Sequence, residues 1–139
     1  AAIGVDLPIG TPSGNMIICL GGGTHQVGVL AMWDIVTANT AKTGGLAMDE
    51  AIISHLRKKF GVIIGQPTAE KIKVNIGSAI RLNENKSIDI QGQDQVSGLP
   101  KPITITTDDV VDALEQPLNE LVILIRDIFL EVYYRVFNT

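Results

Sequence analysis

The chain has 139 residues, 45% of them apolar and 19% charged, with a net charge of −4, which belongs to one folded domain with a real core rather than to a disordered chain. The acidic balance excludes a nucleic-acid binder of the basic-patch kind, and the single cysteine, Cys19, excludes an internal disulfide and suits a reducing, cytoplasmic setting. No apolar run exceeds Leu121 to Ile125, too short to cross a bilayer, and no secretory leader, repeat or low-complexity tract is visible.

Ala1 to Gly4 reads as a helix end stopped by glycine, and Pro8, Gly10, Pro12 and Gly14 mark a loop. The run MIICL over 16–20 leads into Gly21, Gly22, Gly23 and Thr24, and a loosely alternating segment follows through Val27, Val29 and Ala31. This predicts strand, tight glycine turn, strand. Three successive glycines take every Cβ out of the turn, so a ligand can approach the backbone closely. Their N–H groups can converge on an anion such as a phosphate, with the Thr24 hydroxyl as a further donor. The competing reading is a plain hairpin turn that needs glycine only for positive φ. Trp33-Asp34 then predicts a short connection to a third strand ending near Ala41, completing an antiparallel meander over 16–41.

Met48, Ala51, Ile52, His55, Leu56 and Phe60 recur at helical spacing. Asp49 and Glu50 are expected in the first turn and Arg57, Lys58 and Lys59 in the last, as the helix dipole favours, with Gly61 as C-cap. His55 reads as an ordinary half-buried histidine. A second helix is expected from Gln66, Pro67 and Thr68, carrying Ala69, Ile72, Lys73 and Ile76, and closed by Gly77. Glu70 and Lys73 share a face; as a surface ion pair alone they would contribute little. From Ile80 the pattern is strand-like: 87–91 and 102–106 alternate, with turns at Gly92 and over 98–100. Thr106 and Asp109 fit a capping box, with Asp in place of the usual Glu. They open a long helix whose stripe is Val110, Leu114, Leu118, Leu121, Val122, Ile125, Phe129 and Val132. Pro117 predicts a kink or a break into two helices. Ile123, Leu130 and Tyr134 face the opposite side, with Leu124 at its edge, and four of the six aromatics fall in the last eleven residues. A helix apolar on all faces seeks burial on all faces, so self-association is expected.

Gly21, Gly22, Gly23 and Thr24 between two strands resemble the second phosphate loop of the actin and Hsp70 ATPase fold. GGLAMDEAI over 44–52, IGQPTAEKIK over 64–73, IGSA over 76–79 and SGLPK over 97–101 resemble MreB-type bacterial actins, in the family's order and near its spacing. The resemblance runs from Ala1 to about Leu118 and matches only the front part of the family's second half, actin-like domain II. It implies an α/β fold, mixed sheet with helices, of the actin-like (ribonuclease H-like) kind. Residues 1–43 and 103–139 would form a sheet-and-helix subdomain, and 44–102 an inserted smaller one. The chain would then begin in the middle of a larger fold, as a cut fragment or as a gene that lost its first half. The resemblance further implies ATP with Mg²⁺ as ligand, bound by Gly21, Gly22, Gly23, Thr24, the His25 backbone and Gly45, with Glu70 and Lys73 at the adenosine. The parent family comprises slow ATPases that form homopolymers in the cytoplasm, beneath the membrane. They determine rod shape with cell-shape and wall-synthesis proteins.

Three departures limit what carries over. Cys19 stands where the family has an aspartate two residues before the triple glycine, and a neutral thiol cannot replace a hard oxygen ligand for Mg²⁺. It reads as a small apolar strand residue. Leu46 stands where aspartate usually follows the Gly44-Gly45 pair. The first phosphate loop, the catalytic acid and the late adenosine-binding glycine motif have no counterpart, so no catalytic residue and no metal ligand are assigned, and the chain alone is expected to bind ATP and Mg²⁺ weakly or not at all and to be inactive as an ATPase. A reading of a different class also stands: a non-catalytic, truncated actin-like paralogue acting as an interaction or filament-capping module.

Overall fold

Residues 1–137 are described by the structure, a computed structural model. Alternation and short connections fold the front of the chain. Strands β1 (Asn15–Leu20), β2 (His25–Ala31) and β3 (Asp34–Ala41) form an antiparallel meander in the order β1-β2-β3, as the sequence predicts. Ile18 pairs with Val27 and Leu20 with His25; Val27 pairs with Asn39 and His25 with Ala41, with an irregularity between Val29 and Leu30. The second turn differs from expectation. It is Met32-Trp33 rather than Trp33-Asp34, and both residues take positive φ, 52° and 64°. Such a turn ordinarily uses Asn-Gly. Here the loop before β1 holds it: the Met32 N–H donates to the Thr11 carbonyl at 3.1 Å and the Trp33 N–H to the Ile9 carbonyl at 2.9 Å. The expected helix end at Ala1 to Gly4 is a 3-10 turn, Ile3–Val5, and the left-handed residue that closes it is Asp6, not Gly4.

Two compact units divide the chain, one made of Ala1–Gly45 with the segment from Asn119 onward, the other of Leu46–Leu118. In the first, Val27 and Val29 pack against Leu124 and Ile128 of the helix α3 (Thr107–Phe137), with Met16, Val36, Ala41, Ile125 and Val132 around them. The buried face is rotated from the expected stripe. Val122 and Phe129 are 61% and 60% exposed, whereas Leu124, expected at the edge, is 7% exposed. The run Leu124, Ile128, Val132 keeps four-residue steps, and it is this row, with Ile125 beside it, that meets the sheet. Thr37 Oγ1 donates to Glu131 at 2.6 Å, and Arg135 bonds the Val36 carbonyl at 2.6 Å and Glu131 at 2.7 Å.

The second unit holds α1 (Gly45–Phe60), β4 (Val62–Ile63), α2 (Gln66–Ile76), β5 (Ser87–Asp94) and β6 (Pro100–Thr106), with its sheet antiparallel in the order β4-β5-β6. Ile52 and Leu56 of α1, Ala69, Ile72 and Ile76 of α2, Val62, Ile105, Val110 and Leu114 form its core. Residues 103–118, expected with the first unit, pack here because Ile105, Val110 and Leu114 are part of this core. Gly92 is not a turn. It lies inside β5 opposite Lys101, where a Cβ would come within 2.1 Å of Val62 Cγ1, so β4 closes on bare backbone. The β5–β6 turn is instead organised by Asp94, which accepts the N–H groups of Val96 and Ser97 at 2.8 and 2.9 Å. The Ser97 and Val96 N–H groups draw its carboxyl down to about 2. Pro117 sits within one helical span, so of the expected kink or break into two helices the break does not occur.

The capping box forms as the spacing predicts. Asp109 Oδ2 accepts the Thr106 N–H at 2.9 Å and its hydroxyl at 2.8 Å, and the Lys59 ammonium pairs with Oδ1. Asp109 is 6% exposed. Burial pushes its carboxyl up, but the Lys59 ammonium and the Thr106 donors outweigh that and hold it below its ordinary value. A carboxyl depressed in the folded state stabilises above its unfolded value, about 4, and that contribution disappears as pH falls through the lower folded value. We expect Asp109→Asn to lower unfolding stability at neutral pH by about 1–3 kcal/mol. Urea denaturation at neutral pH and near pH 3 should show a smaller acid-dependent loss in this variant than in the parent.

Candidate functional site

The triple-glycine turn is tight at one end and open at the other. The Gly21 N–H donates to the Thr24 carbonyl at 2.9 Å, and a Cβ on Gly21 would lie 2.7 Å from that oxygen. Gly22, Gly23 and Thr24 are exposed. Neither Gly22 nor Gly23 has positive φ, and a Cβ at either would meet nothing within 4 Å. The plain-hairpin reading therefore loses its reason, since neither dihedral nor crowding asks for glycine there. Among the described residues no hydrogen bond takes the N–H of Gly22 or Gly23.

The Gly44-Gly45 pair is seated against this turn. The Gly45 N–H donates to the Gly21 carbonyl at 3.0 Å. Gly44 is buried, and a Cβ there would stand 2.3 Å from the Gly22 carbonyl oxygen and 2.7 Å from that of Gly21. Two glycine stretches thus touch backbone to backbone. Gly21, Gly22, Gly23, Thr24 and Gly45 are brought together within one unit, and Gly44, which the sequence reading left out, is the residue whose missing side chain permits it.

His25 is 2% exposed, its backbone belongs to the ladder with Leu20 and Ala41, and its ring nitrogens have no partner among the described residues. Cys19 pairs with Gln26 on the sheet face that alternation turns away from Val27 and Val29. With Ile17, Gly28, Leu30, Ile35 and Ala38 it lines a mainly apolar groove of about 320 Å³.

Glu70 and Lys73 lie in the second unit, both on α2. Glu70 is exposed. Lys73 turns to α1 instead: its ammonium is 2.6 Å from Oδ1 of Asp49, whose other oxygen accepts Gln66 Nε2 at 3.0 Å. Asp49 is 1% exposed, not a first-turn surface residue, because α1 starts four residues earlier, at Gly45. A signal was present: Asp49, Ile52 and Leu56 stand at i, i+3 and i+7, which puts a carboxylate in the apolar stripe.

The MreB/Mbl protein family model matches residues 1–133. This chain belongs to the MreB/Mbl family. It is 44% identical over 128 residues to the cell shape-determining protein MreB of Haemophilus influenzae, covering 91% of this chain and 36% of that protein. It is 38% identical over 122 residues to the cell shape-determining protein Mbl of Bacillus subtilis, covering 88% and 37%. Among solved structures, MreB 5 of Spiroplasma citri bound to AMPPNP superposes with a TM-score of 0.87 at 33% identity, over 92% of this chain and 38% of that one. The MamK double helical filament superposes with a TM-score of 0.67 at 19% identity, over 91% and 37%, and shows the shared actin-like fold. The chain thus spans little more than a third of the length of the relatives it matches.

The crowding at Gly44 and the space at Gly23 give opposite expectations for one methyl group. Gly44→Ala should destabilise the chain by roughly 1–3 kcal/mol through overpacking and shift the amide resonances of residues 21–23. Gly23→Ala should be neutral or stabilising by up to about 1 kcal/mol, since it only removes unfolded-state freedom. Urea denaturation with amide NMR spectra of both variants checks the pair.

Proposed function

We propose that this chain contributes one part of the adenine-nucleotide site, and part of the self-associating body, of an MreB-type protein that sets cell shape. The observation carrying the nucleotide reading is the state of Gly22 and Gly23: exposed, with N–H groups unspent and no local need for glycine. A phosphate supplies the need, because its oxygens accept backbone N–H groups only if no Cβ intervenes. In this reading Gly21, Gly22 and Gly23 with the Thr24 hydroxyl hold phosphate oxygens, Gly45 fixes the turn through the Gly21 carbonyl, and Glu70 and Lys73 meet the adenosine. The binding of AMPPNP by the Spiroplasma citri relative supports it.

ATP carries its Mg²⁺ on its own phosphates, and that ion would neutralise their charge. The residues of the turn fit the phosphates and not the metal, since Cys19 offers a neutral thiol rather than a hard oxygen ligand. The chain binds and orients; nothing at the turn moves a proton. Mg-ATP should therefore bind weakly, with a dissociation constant no tighter than about 1 μM, or roughly −8 kcal/mol. Isothermal titration of the parent chain and of Gly23→Ala tests this: the expected result is weak binding that weakens further in the variant, and sub-micromolar binding or indifference to the variant defeats the reading.

Self-association is proposed through the outer face of α3, in keeping with assembly in the cytoplasm at the inner membrane surface. Ile123, Phe129, Leu130 and Tyr134 are 44%, 60%, 47% and 59% exposed. Leaving such side chains in water forgoes roughly 1.5–3 kcal/mol each, so a few of them are comparable to the entropic cost of association. Light scattering over a range of concentrations should show a dimer or larger species for the parent and a shift to monomer for Ile123→Lys with Leu130→Glu. A parent that stays monomeric throughout removes this face as an interface.

A further inference from the structure

Lys73 does not project from α2 as a lone cation. Its ammonium lies 2.6 Å from Asp49 Oδ1, with the lysine side chain 22% exposed and the aspartate side chain 2% exposed. The second oxygen of Asp49 is also engaged, by Gln66 Nε2 at 3.0 Å. A carboxylate this deeply buried is tolerated only when paired and hydrogen-bonded, and here the partners come from α2 while the carboxylate comes from α1. The carboxylate is fixed on its own side as well, since Asp49 sits one turn before Ile52 in the α1 core stripe. A lysine has four rotatable side-chain bonds and ordinarily samples many rotamers, so an anchored acceptor decides where its head stands.

We propose that Asp49 is a positioning residue for nucleotide binding: with Gln66 it holds the Lys73 ammonium at one place on the surface of the second unit, so that the cation is presented to the nucleotide rather than ordered by it. The assignment rests on the nucleotide reading above. It places the function of Asp49 in its hold on Lys73, so removing the lysine should make the carboxylate irrelevant to the ligand.

The test is a double-mutant cycle on this chain with ADP as the probe, following line broadening and saturation transfer to ADP by NMR up to millimolar nucleotide, where weak complexes are visible. The variants are Asp49→Asn, which keeps the shape and an acceptor for Gln66, Lys73→Met, and both together, each checked for a folded amide spectrum. Contacting residues couple by amounts corresponding to about 2- to 150-fold in affinity. The expected result is a loss of ADP affinity in that range for Asp49→Asn, a similar loss for Lys73→Met, and no further loss when Asp49→Asn is added to Lys73→Met. A folded Asp49→Asn chain that binds ADP like the parent overturns the assignment and leaves the carboxylate a clasp between helices. A further loss in the double variant overturns it too, because Asp49 would then act other than through Lys73. If Asp49→Asn does not fold, Gln66→Leu, which removes only the second anchor of the carboxylate, should give a smaller loss confined to the Lys73-containing background, and no loss overturns the proposal. A parent chain without any ADP contact overturns the nucleotide reading and this assignment together, an outcome distinct from binding that ignores Asp49.

Discussion

The bond from the Gly45 N–H to the Gly21 carbonyl is the constraint on which the glycine site depends. It joins the turn between β1 and β2 to the start of α1, at a distance of 3.0 Å, and it can form only because Gly44 has no side chain to strike the Gly22 carbonyl. Without that approach the turn would be an exposed loop with two unrestrained glycines, and backbone entropy would scatter its N–H groups. With it, the carbonyls of Gly21 and Gly22 face the Gly44-Gly45 backbone. The ladder positions at Leu20 and His25 fix the other end of the turn. A site made of backbone donors needs this kind of outside clamp, because a turn of glycines has no side chains with which to hold itself.

Buried charge is handled the same way twice in the second unit. Asp49 and Asp109 are 1% and 6% exposed, and each is met by a lysine from a neighbouring helix and by a second donor, Gln66 in one case and Thr106 in the other. Asp109 does a local job, closing the first turn of α3, and its donors include the backbone it caps. Asp49 caps nothing. It stands in the second turn of α1 and ties α1 to α2 through side chains. An apolar residue of similar size would hold two helices at least as well. A carboxylate kept in that place asks for a reason in the lysine it holds.

The sequence made the meander, both short helices, the capping box and the glycine turn legible, because each rests on contacts between residues close in the chain: period-two alternation, three- and four-residue spacing, and a Thr and an Asp three apart. What it hid depends on neighbours far along the chain. Gly92 looked like a turn because nothing nearby shows that Val62 will need the space of its Cβ. Met32-Trp33 carries no local turn signal because neither residue favours positive φ, and the loop carbonyls that hold the turn come from Ile9 and Thr11. In α3 two apolar rows compete, one through Val122 and Phe129 and one through Leu124 and Ile128, and a helix that is apolar all round does not reveal which row meets the sheet. The glycines of the turn are visible as glycines in the sequence, but the close approach of Gly44 to them and the pairing of Asp49 with Lys73 are not, since one is a distance and the other a contact between helices.

The two units are unequal in core, and this bears on assembly. Among the described residues the second unit has ten buried apolar side chains in one cluster, whereas the cluster of the first has four, Val27, Val29, Leu124 and Ile128. Each fully buried side chain of this kind contributes about 1.5–3 kcal/mol, against an ordering cost of about 1–2 kcal/mol for every backbone residue fixed. The meander and its helix are thus held by four buried side chains with Met16, Val36, Ala41, Ile125 and Val132 partly buried around them, a smaller core than that of the second unit. The same unit leaves two apolar surfaces uncovered: the groove beside Cys19 and the outer row of α3. Burial of either against another chain would stabilise the unit by mass action, in proportion to the logarithm of partner concentration over its dissociation constant. Were the chain to assemble through either surface, folding of the glycine turn would be linked to it, because β1 and β2, which carry the turn, belong to this smaller core.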